Sequence, residues 1–418
     1  MDELLRCAPF AGVLLSFALL PGLAPRFWHR RMAWVIGLWV VVAFVQAVGT
    51  QGAGAAAVVF WQQGFAEFAP FIVLLLALYA LGGGILITGG PWGRPAGNLL
   101  LLVIGTLLAS VMGTIGASLL LIHPLLAANA HRRERRHLVL AFIILAGNCG
   151  GALTPLGDPP LLVGFLRGVP FTWPAVHLAL PLLVLAVPVL ALCFVLDVML
   201  ARRDPPPRRQ PLRLRGWLNV ALLLVLMAAI PVEGEWHPGE VHVLGAAIPG
   251  EHLAVMLLEL GIIAVSEVFT AHGIRNRNRF AWQAMREIVI LFGAIFLTIP
   301  PVFVALQQAP LAPQPVAWFW ASGWASAILD AAPTYLLFFQ AAGGHAVALA
   351  AGPGKLLTAI AAGSVFFGPL TYLGNAPNLM IREIAARRGV RMPGFLTYAG
   401  VMTLVMTPVL VLESVLFF

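Results

Sequence analysis

Residues 147–160 read GNCGGALTPLGDPP and lie inside an apolar region long enough to cross a membrane. The stretch holds four glycines and three prolines. A helix loses about 1 kcal/mol for each interior glycine and about 3 kcal/mol for each interior proline, so the backbone is expected to be unwound here. Unwound backbone at membrane depth occurs only where it is buried in protein or lines a water-filled cavity. Because ionisable residues at such depth are usually functional, Asp158 is a candidate site residue.

A second stretch of the chain has a related sequence. Residues 151–160 read GALTPLGDPP, residues 368–377 read GPLTYLGNAP, and six of the ten positions are identical. Asn375 stands where the first stretch has Asp158. In so apolar a chain this similarity carries weight only if the two stretches occupy equivalent positions in the fold.

The composition predicts an all-α polytopic membrane protein. The 418 residues are 60% hydrophobic and 10% charged, with a mean hydropathy of +0.93, whereas a water-soluble protein is about 25% charged. The net charge of +8 is expected on cytoplasmic loops, so it does not call for a nucleic-acid partner.

Three scattered cysteines predict free thiols. The first residues lack a basic segment, which predicts that no signal peptide is cleaved.

The apolar segments predict two repeats with the same order of elements, since a span needs about 20 apolar residues. The first repeat covers residues 1–200, a Pro- and Arg-rich cytoplasmic linker covers 201–215, and the second repeat covers 216–418. Each repeat has three spans, a re-entrant hairpin, a broken helix and a final span. In chain order, these elements lie at 8–25, 33–48, 68–88, 97–127, 138–166 and 175–200, and then at 216–231, 252–270, 284–305, 317–342, 355–381 and 393–418.

The two hairpins follow from segment length. Segments 97–127 and 317–342 are too long for one span and too short for two, and each has a centre that favours a turn. The alternative for each is one tilted helix followed by a surface loop. The predicted tips are at Gly116, Ser118, Asp330 and Pro333.

The distribution of positive charge predicts the orientation. With the N-terminus outside, all but three of the 25 Lys and Arg residues fall on the cytoplasmic side, as expected for cytoplasmic loops. The two repeats then enter the membrane from opposite sides, which is an inverted-topology repeat. Gly- and Pro-interrupted segments at corresponding positions of two such repeats indicate a transport site. The expected location is the inner (cytoplasmic) membrane, with many passes.

Asp158 and Asp330 are the two carboxyl groups placed near the membrane midplane. Burial disfavours the charged form of a carboxyl group, so such a group could exchange a proton for a cation. Hard cations prefer oxygen ligands, and both residues are candidate Na⁺ ligands. The alternative is that each caps a half-helix. The other candidate ion- or substrate-binding residues are Asn148, Thr154, Gly157, Thr334, Thr371, Gly374, Asn375 and Asn378.

Other polar residues receive structural interpretations. Ser118, Ser364 and Glu259 are expected to pack between helices. Asp197 and Glu413 lie near predicted span ends, so interfacial positions are expected for both. The run Arg132–Arg136 is expected to form a solvated cytoplasmic turn at the foot of the first hairpin.

With these residues in view, the chain resembles the ion transporter superfamily, and within it the NhaD-type sodium/proton antiporters and related citrate transporters. Three motifs carry the resemblance: residues 148–158, LDAAPT at 329–334 and GNAPN at 374–378. The resemblance implies a homodimer of elevator-type transporters. The first tip lacks the acidic residue of the antiporters, and Ala331 replaces their second tip asparagine. These departures leave the transported ion open.

The leading functional prediction is a sodium (or lithium)/proton antiporter in which Asp158 and Asp330 bind protons and the metal ion alternately. The alternative is a proton- or sodium-coupled citrate or dicarboxylate transporter, since half-helix N-termini favour anions. Asp158 would repel a bare carboxylate, and no membrane-embedded arginine pairs with one. A metal–citrate complex would avoid that objection.

Three further functions are less favoured. A third alternative is efflux of a neutral oxyacid such as arsenite. The sequence has no cysteine cluster that would bind a soft metal. An intramembrane aspartyl protease is disfavoured because neither Asp lies in a Tyr-Asp or Gly-x-Gly-Asp motif. Paired broken elements suit alternating access better than a channel. Neither enzymatic activity nor a cofactor is expected, apart from the transported Na⁺ and H⁺.

Overall fold

The computed structural model describes residues 2–202, 204–205, 210–243, 246–278, 280–307, 314–351 and 355–418. Most of them are helical. Seven helices in this part of the chain are long and apolar enough to cross a membrane, and three shorter apolar helices accompany them. The protein is therefore a multi-pass membrane protein, as its composition predicts.

The N-terminal half contains eight α-helices and a strand. A π-helical turn, Gln62–Phe68, joins α3 to α4, and a 3₁₀ turn, Cys149–Leu153, lies between α6 and α7. In chain order the elements are α1 (Asp2–Leu23), α2 (Pro25–Gln51), α3 (Ala53–Trp61), α4 (Ala69–Gly83), β1 (Leu86–Gly90), α5 (Pro95–Ala128), α6 (Arg136–Leu145), α7 (Pro159–Leu166) and α8 (Trp173–Ala201).

The C-terminal half begins with a strand and continues mainly as helices. A 3₁₀ turn, Gly368–Leu370, lies between α17 and α18. In chain order the elements are β2 (Gln210–Arg215), α9 (Trp217–Glu233), β3 (Glu240–Val243), β4 (Ala246–Pro249), α10 (Gly250–Phe269), α11 (His272–Arg277), α12 (Trp282–Thr298), α13 (Pro300–Gln307), α14 (Pro315–Leu329), α15 (Ala331–Ala341), α16 (Ala346–Ala351), α17 (Lys355–Phe366), α18 (Ala376–Arg387) and α19 (Phe395–Phe417).

Two small antiparallel sheets depart from the all-α prediction. Strand β1 pairs with β2 and strand β3 pairs with β4. The predicted linker 201–215 thus contains a strand, while its residues 203 and 206–209 lie outside the described residues. The predicted span 68–88 ends as a helix at Gly83, before β1.

The predicted span 284–305 is divided into two helices. Helix α12 ends at Thr298 and α13 begins at Pro300. The proline ring fixes the backbone in a way that suits the first helical position and removes the N–H that a continuous helix would use. The division therefore follows from the pair Pro300 and Pro301.

Both predicted hairpin segments contain a sharp backbone break. Helix α5 is interrupted at Met112 and Gly113, where Gly113 has φ 78° and ψ 151°. Between α14 and α15, Asp330 has φ 82° and ψ 150°. The first predicted tip was therefore wrong by a few residues, because Gly116 and Ser118 lie inside the helical part of α5 that follows the break. The second break lies at Asp330 as predicted, and Pro333 lies in the first turn of α15.

Elements of the two halves pack against each other around these breaks. Helix α15 contacts α7, α18 contacts both α5 and α6, and α17 contacts the 3₁₀ turn that follows α6. Elsewhere α4 packs on α10 and α2 packs on α12. The interrupted elements thus form one packed group, and this group brings the candidate site residues together.

Candidate transport site

The two broken helices are built in the same way. Helix α6 is followed by a 3₁₀ turn, an extended Thr154 and an extended Asp158, and then α7 begins at Pro159. Helix α17 is followed by a 3₁₀ turn, an extended Thr371 and an extended Asn375, and then α18 begins at Ala376. Prolines occupy the first turn of both new helices, where a missing N–H costs nothing.

Each threonine ties its broken helix to the neighbouring hairpin segment. The Thr154 hydroxyl donates to the carbonyl oxygen of Ser110, and the Thr371 hydroxyl donates to that of Ala327, 2.5 Å away. Ser110 and Ala327 each lie three residues before a backbone break. These predicted ligands therefore use their hydroxyl hydrogens within the protein.

The predicted site glycines allow two backbones to approach closely. A Cβ atom on Gly157 would collide with the carbonyl oxygen of Gly151, and a Cβ atom on Gly374 would collide with that of Gly368. The unwound stretch thus folds back on itself in both halves. Gly157 and Gly374 shape the site through their lack of a side chain.

Asp158 lies at the centre of the group and is 1% exposed. Its Oδ1 atom accepts hydrogen bonds from the Thr114 hydroxyl at 3.2 Å and from the Asn375 amide at 3.1 Å. Its Oδ2 atom has no hydrogen-bond partner among the described residues, and the side chain does not cap α7. Because an unpartnered buried polar atom is costly, Oδ2 is the point at which a proton or a cation would bind.

Asp330 is also buried, at 5% exposure. Its Oδ1 atom accepts from the backbone N–H of Ala332 at 3.3 Å, so this residue does cap its helix. Asp330 precedes α15, which packs against α7, the helix that Asp158 precedes. The Thr334 hydroxyl donates to the backbone carbonyl of Asp330 at 2.8 Å and supports the turn.

Asn148 and Asn378 join the two broken helices away from the carboxyl groups. The Asn148 amide donates to Oδ1 of Asn378 at 2.7 Å. The Asn378 amide donates to the carbonyl oxygens of Gly368 and Thr371. Both side chains are fully buried. The Oδ1 atom of Asn148 has no partner within the described part of the chain.

Four helix N-termini meet at this group. They belong to α7, α15, α18 and the part of α5 that begins at Thr114. Thr114 bonds to Asp158 and also donates its backbone N–H to the Gly157 carbonyl oxygen. Helix N-termini carry partial positive charge and favour anions. No Lys, Arg or His forms a hydrogen bond or ion pair with either aspartate in the described residues.

The sequence prediction missed three residues of this arrangement. Gly113 forms the first break, Ser110 receives the Thr154 bond and Thr114 bonds to Asp158. The spacing of the two related stretches could have identified them. Asp158 and Asn375 occupy corresponding positions and are 217 residues apart. The residue 217 positions before Asp330 is Gly113. The predicted tip residue Ser118 is buried, and its hydroxyl has no partner among the described residues.

Asp197 and Glu413, which lie outside the site, are buried within the protein. Asp197 is 1% exposed and bonds to Arg132, His137 and Asn98. Arg132 is therefore buried too, at 5% exposure, rather than part of a solvated turn. Glu413 is fully buried, and neither of its carboxyl oxygens has a partner in the described residues.

Comparison with known proteins gives one family. Residues 2–418 match a family described as "Putative citrate transport". No curated protein matches the chain. The matched segment covers nearly all 418 residues. The chain therefore belongs to this citrate transport family.

Proposed function

We propose that the protein is a secondary transporter that moves a carboxylate of the citrate class together with neutralising cations or protons. The observation that supports this most directly is the mixed character of the central group. Four helix N-termini favour an anion, while Asp158 and Asp330 favour a proton or a cation. A site of this kind suits a substrate that carries both charges.

Among the described residues, no basic side chain bonds to either aspartate, which favours a substrate that enters with its charge neutralised. A bare tricarboxylate would be repelled by Asp158 and would find no arginine to pair with. A carboxylate that enters with Na⁺, with protons or as a metal complex would be neutralised. Asp158 and Asp330 would then hold the accompanying ion, with Asn375 and Thr114 orienting the Asp158 carboxyl group.

We also propose that the two halves form an inverted-topology repeat and work as an elevator. The similar backbone angles at Gly113 and Asp330 support the repeat. The packed group of hairpins and broken helices would move past the remaining helices and carry the site across the membrane. The outside position of the N-terminus stays a prediction from the charge distribution. The homodimer and the special similarity to the NhaD-type antiporters stay predictions from the motifs.

One observation favours a second candidate, a sodium/proton antiporter. The Asp158 Oδ2 atom has no partner among the described residues, and Asp330, a second buried carboxyl group, lies in the same packed group. Such a pair could exchange Na⁺ for protons without any organic substrate.

One experiment separates the two candidates. Purified protein is placed in liposomes with an internal pH dye, a proton gradient is imposed, and NaCl, LiCl, KCl or sodium citrate is added in turn. Proton movement with citrate but not with the chlorides is expected, together with uptake of labelled citrate. Asp158→Asn and Asp330→Asn should abolish both, whereas Glu383→Gln, which removes a surface charge paired with Arg387, should not. A response to NaCl or LiCl alone, lost in the Asp variants, would establish the antiporter instead.

A further inference from the structure

A cavity lies away from the two aspartates, at the C-terminal end of α5. It has a volume of about 840 Å³ and is walled by β1, the C-terminal end of α5, α11 and the residue that follows α18. Cavities that bind small molecules measure about 300–1,000 Å³. His123 lies at its wall and nine residues beyond Thr114 on the same helix, which separates it from the central group by about 14 Å.

The lining of this cavity is basic. His123, His131, Arg277 and Arg388 contribute to it, and no acidic residue does so among the described residues. Arg277 and Arg388 are both exposed. A guanidinium group is planar and can donate two parallel hydrogen bonds to one carboxylate.

Basic residues are expected on the cytoplasmic loops of any membrane protein. It is therefore relevant whether Arg277 and Arg388 already form ion pairs with carboxylates of the protein. Five other arginines form ion pairs with carboxylates: Arg132, Arg136, Arg167, Arg275 and Arg387. Within the described part of the chain, Arg277 and Arg388 form none. Both guanidinium groups are exposed at the cavity and can donate to a ligand.

A buried donor in the same wall supports a ligand site independently. Trp92 lines the cavity, is 8% exposed, and its indole N–H has no partner among the described residues. The indole group can only donate. This donor lies beside Gly90 of the same wall.

We propose that this cavity is a docking site for the polycarboxylate, distinct from the central transport site and located on the side that the charge distribution assigns to the cytoplasm. The proposal rests on the proposed carboxylate transport. Its site needs no accompanying cation, because Arg277 and Arg388 supply positive charge. The central group, by contrast, would accept the carboxylate only with its neutralising ion.

The proposal is tested by measuring whether citrate binds in the absence of metal cations. Equilibrium binding of labelled citrate to the purified full-length protein is measured in choline buffer without Na⁺ or divalent cations. The wild-type protein should bind citrate under these conditions, and Arg277→Gln/Arg388→Gln should weaken the binding by about tenfold through the loss of two charge-assisted contacts. Added salt should also weaken wild-type binding. Arg277→Lys/Arg388→Lys, which keeps the charge, should retain part of the affinity.

A matched control removes two arginines from outside the cavity. Arg136→Gln/Arg387→Gln should leave citrate binding unchanged. The proposal is overturned if the wild-type protein binds no citrate without cations, or if the control pair weakens binding as much as the cavity pair. Citrate binding that depends on Arg277 and Arg388 without citrate transport in liposomes would refute the proposed function and leave the docking site standing.

Discussion

The two halves of the chain place their carboxyl groups at different points of the same backbone. In the first half, glycine occupies the backbone break at position 113 and Asp158 precedes α7. In the second half, aspartate occupies the break at 330 and Asn375 precedes α18. Each half therefore contributes one carboxyl group and one neutral residue. The two halves have the same backbone positions, a break and a helix start, but the carboxyl group lies at the helix start in the first half and at the break in the second.

The comparison extends to the final helices. Asp197 on α8 and Glu413 on α19 are both buried carboxyl groups. Asp197 has basic and amide partners, whereas Glu413 has none in the described residues. The first arrangement is a structural network that fixes the loop before α6 against α8. The second leaves a buried polar group unsatisfied.

The largest expected effect comes from moving the carboxyl group between halves. Asp158→Asn should reduce citrate uptake in liposomes to the level of empty liposomes, because the cation loses its ligand. Asn375→Asp should impair uptake as well, since two carboxyl groups about 3 Å apart share one proton rather than ionise together. The double variant Asp158→Asn/Asn375→Asp restores one carboxyl group and should recover part of the uptake. No recovery in a correctly folded double variant would show that the two positions are not equivalent.

The next effect concerns the Asp197 network. Arg132→Gln leaves Asp197 buried without its strongest partner, and breaking a buried ion pair in this way costs about 3–5 kcal/mol. The thermal transition measured by fluorescence in detergent should fall by many degrees. Arg132→Gln/Asp197→Asn removes both charges and should be less destabilised than Arg132→Gln alone. Equal losses in the two variants would mean that the charge of Asp197 is not what the arginine stabilises.

Glu413 should respond in the opposite direction. Glu413→Leu replaces an unsatisfied buried carboxyl group by an apolar side chain of similar size, and removing such a penalty is worth about 1–3 kcal/mol. The same thermal measurement should therefore show a gain. Asp197→Leu serves as the comparison and should be destabilised. A loss of stability in Glu413→Leu would show that this carboxyl group has a partner.

The sequence predicted much of this arrangement, and the misses have physical causes. Glycines and prolines identified both broken helices, because these residues disfavour helix wherever they occur. The Asp330 break was found from its motif, but the Gly113 break was placed three residues late, since several small residues near it could form a tip. The Arg132–Asp197 network was missed because a pairing over 65 positions leaves no local pattern.

The smallest predicted effect tests the strained break itself. Asp330 is the only residue other than glycine with positive φ in the described part of the chain, and an extended conformation with positive φ costs such a residue about 1–3 kcal/mol. Asp330→Gly copies the break of the first half. It should raise the thermal transition slightly, by the equivalent of about 1 kcal/mol, while citrate uptake is lost with the carboxyl group. Stability gained at the expense of transport would indicate that the strain persists because this carboxyl group is needed. A variant that keeps wild-type uptake would remove Asp330 from the site and leave Asp158 as its sole acidic ligand.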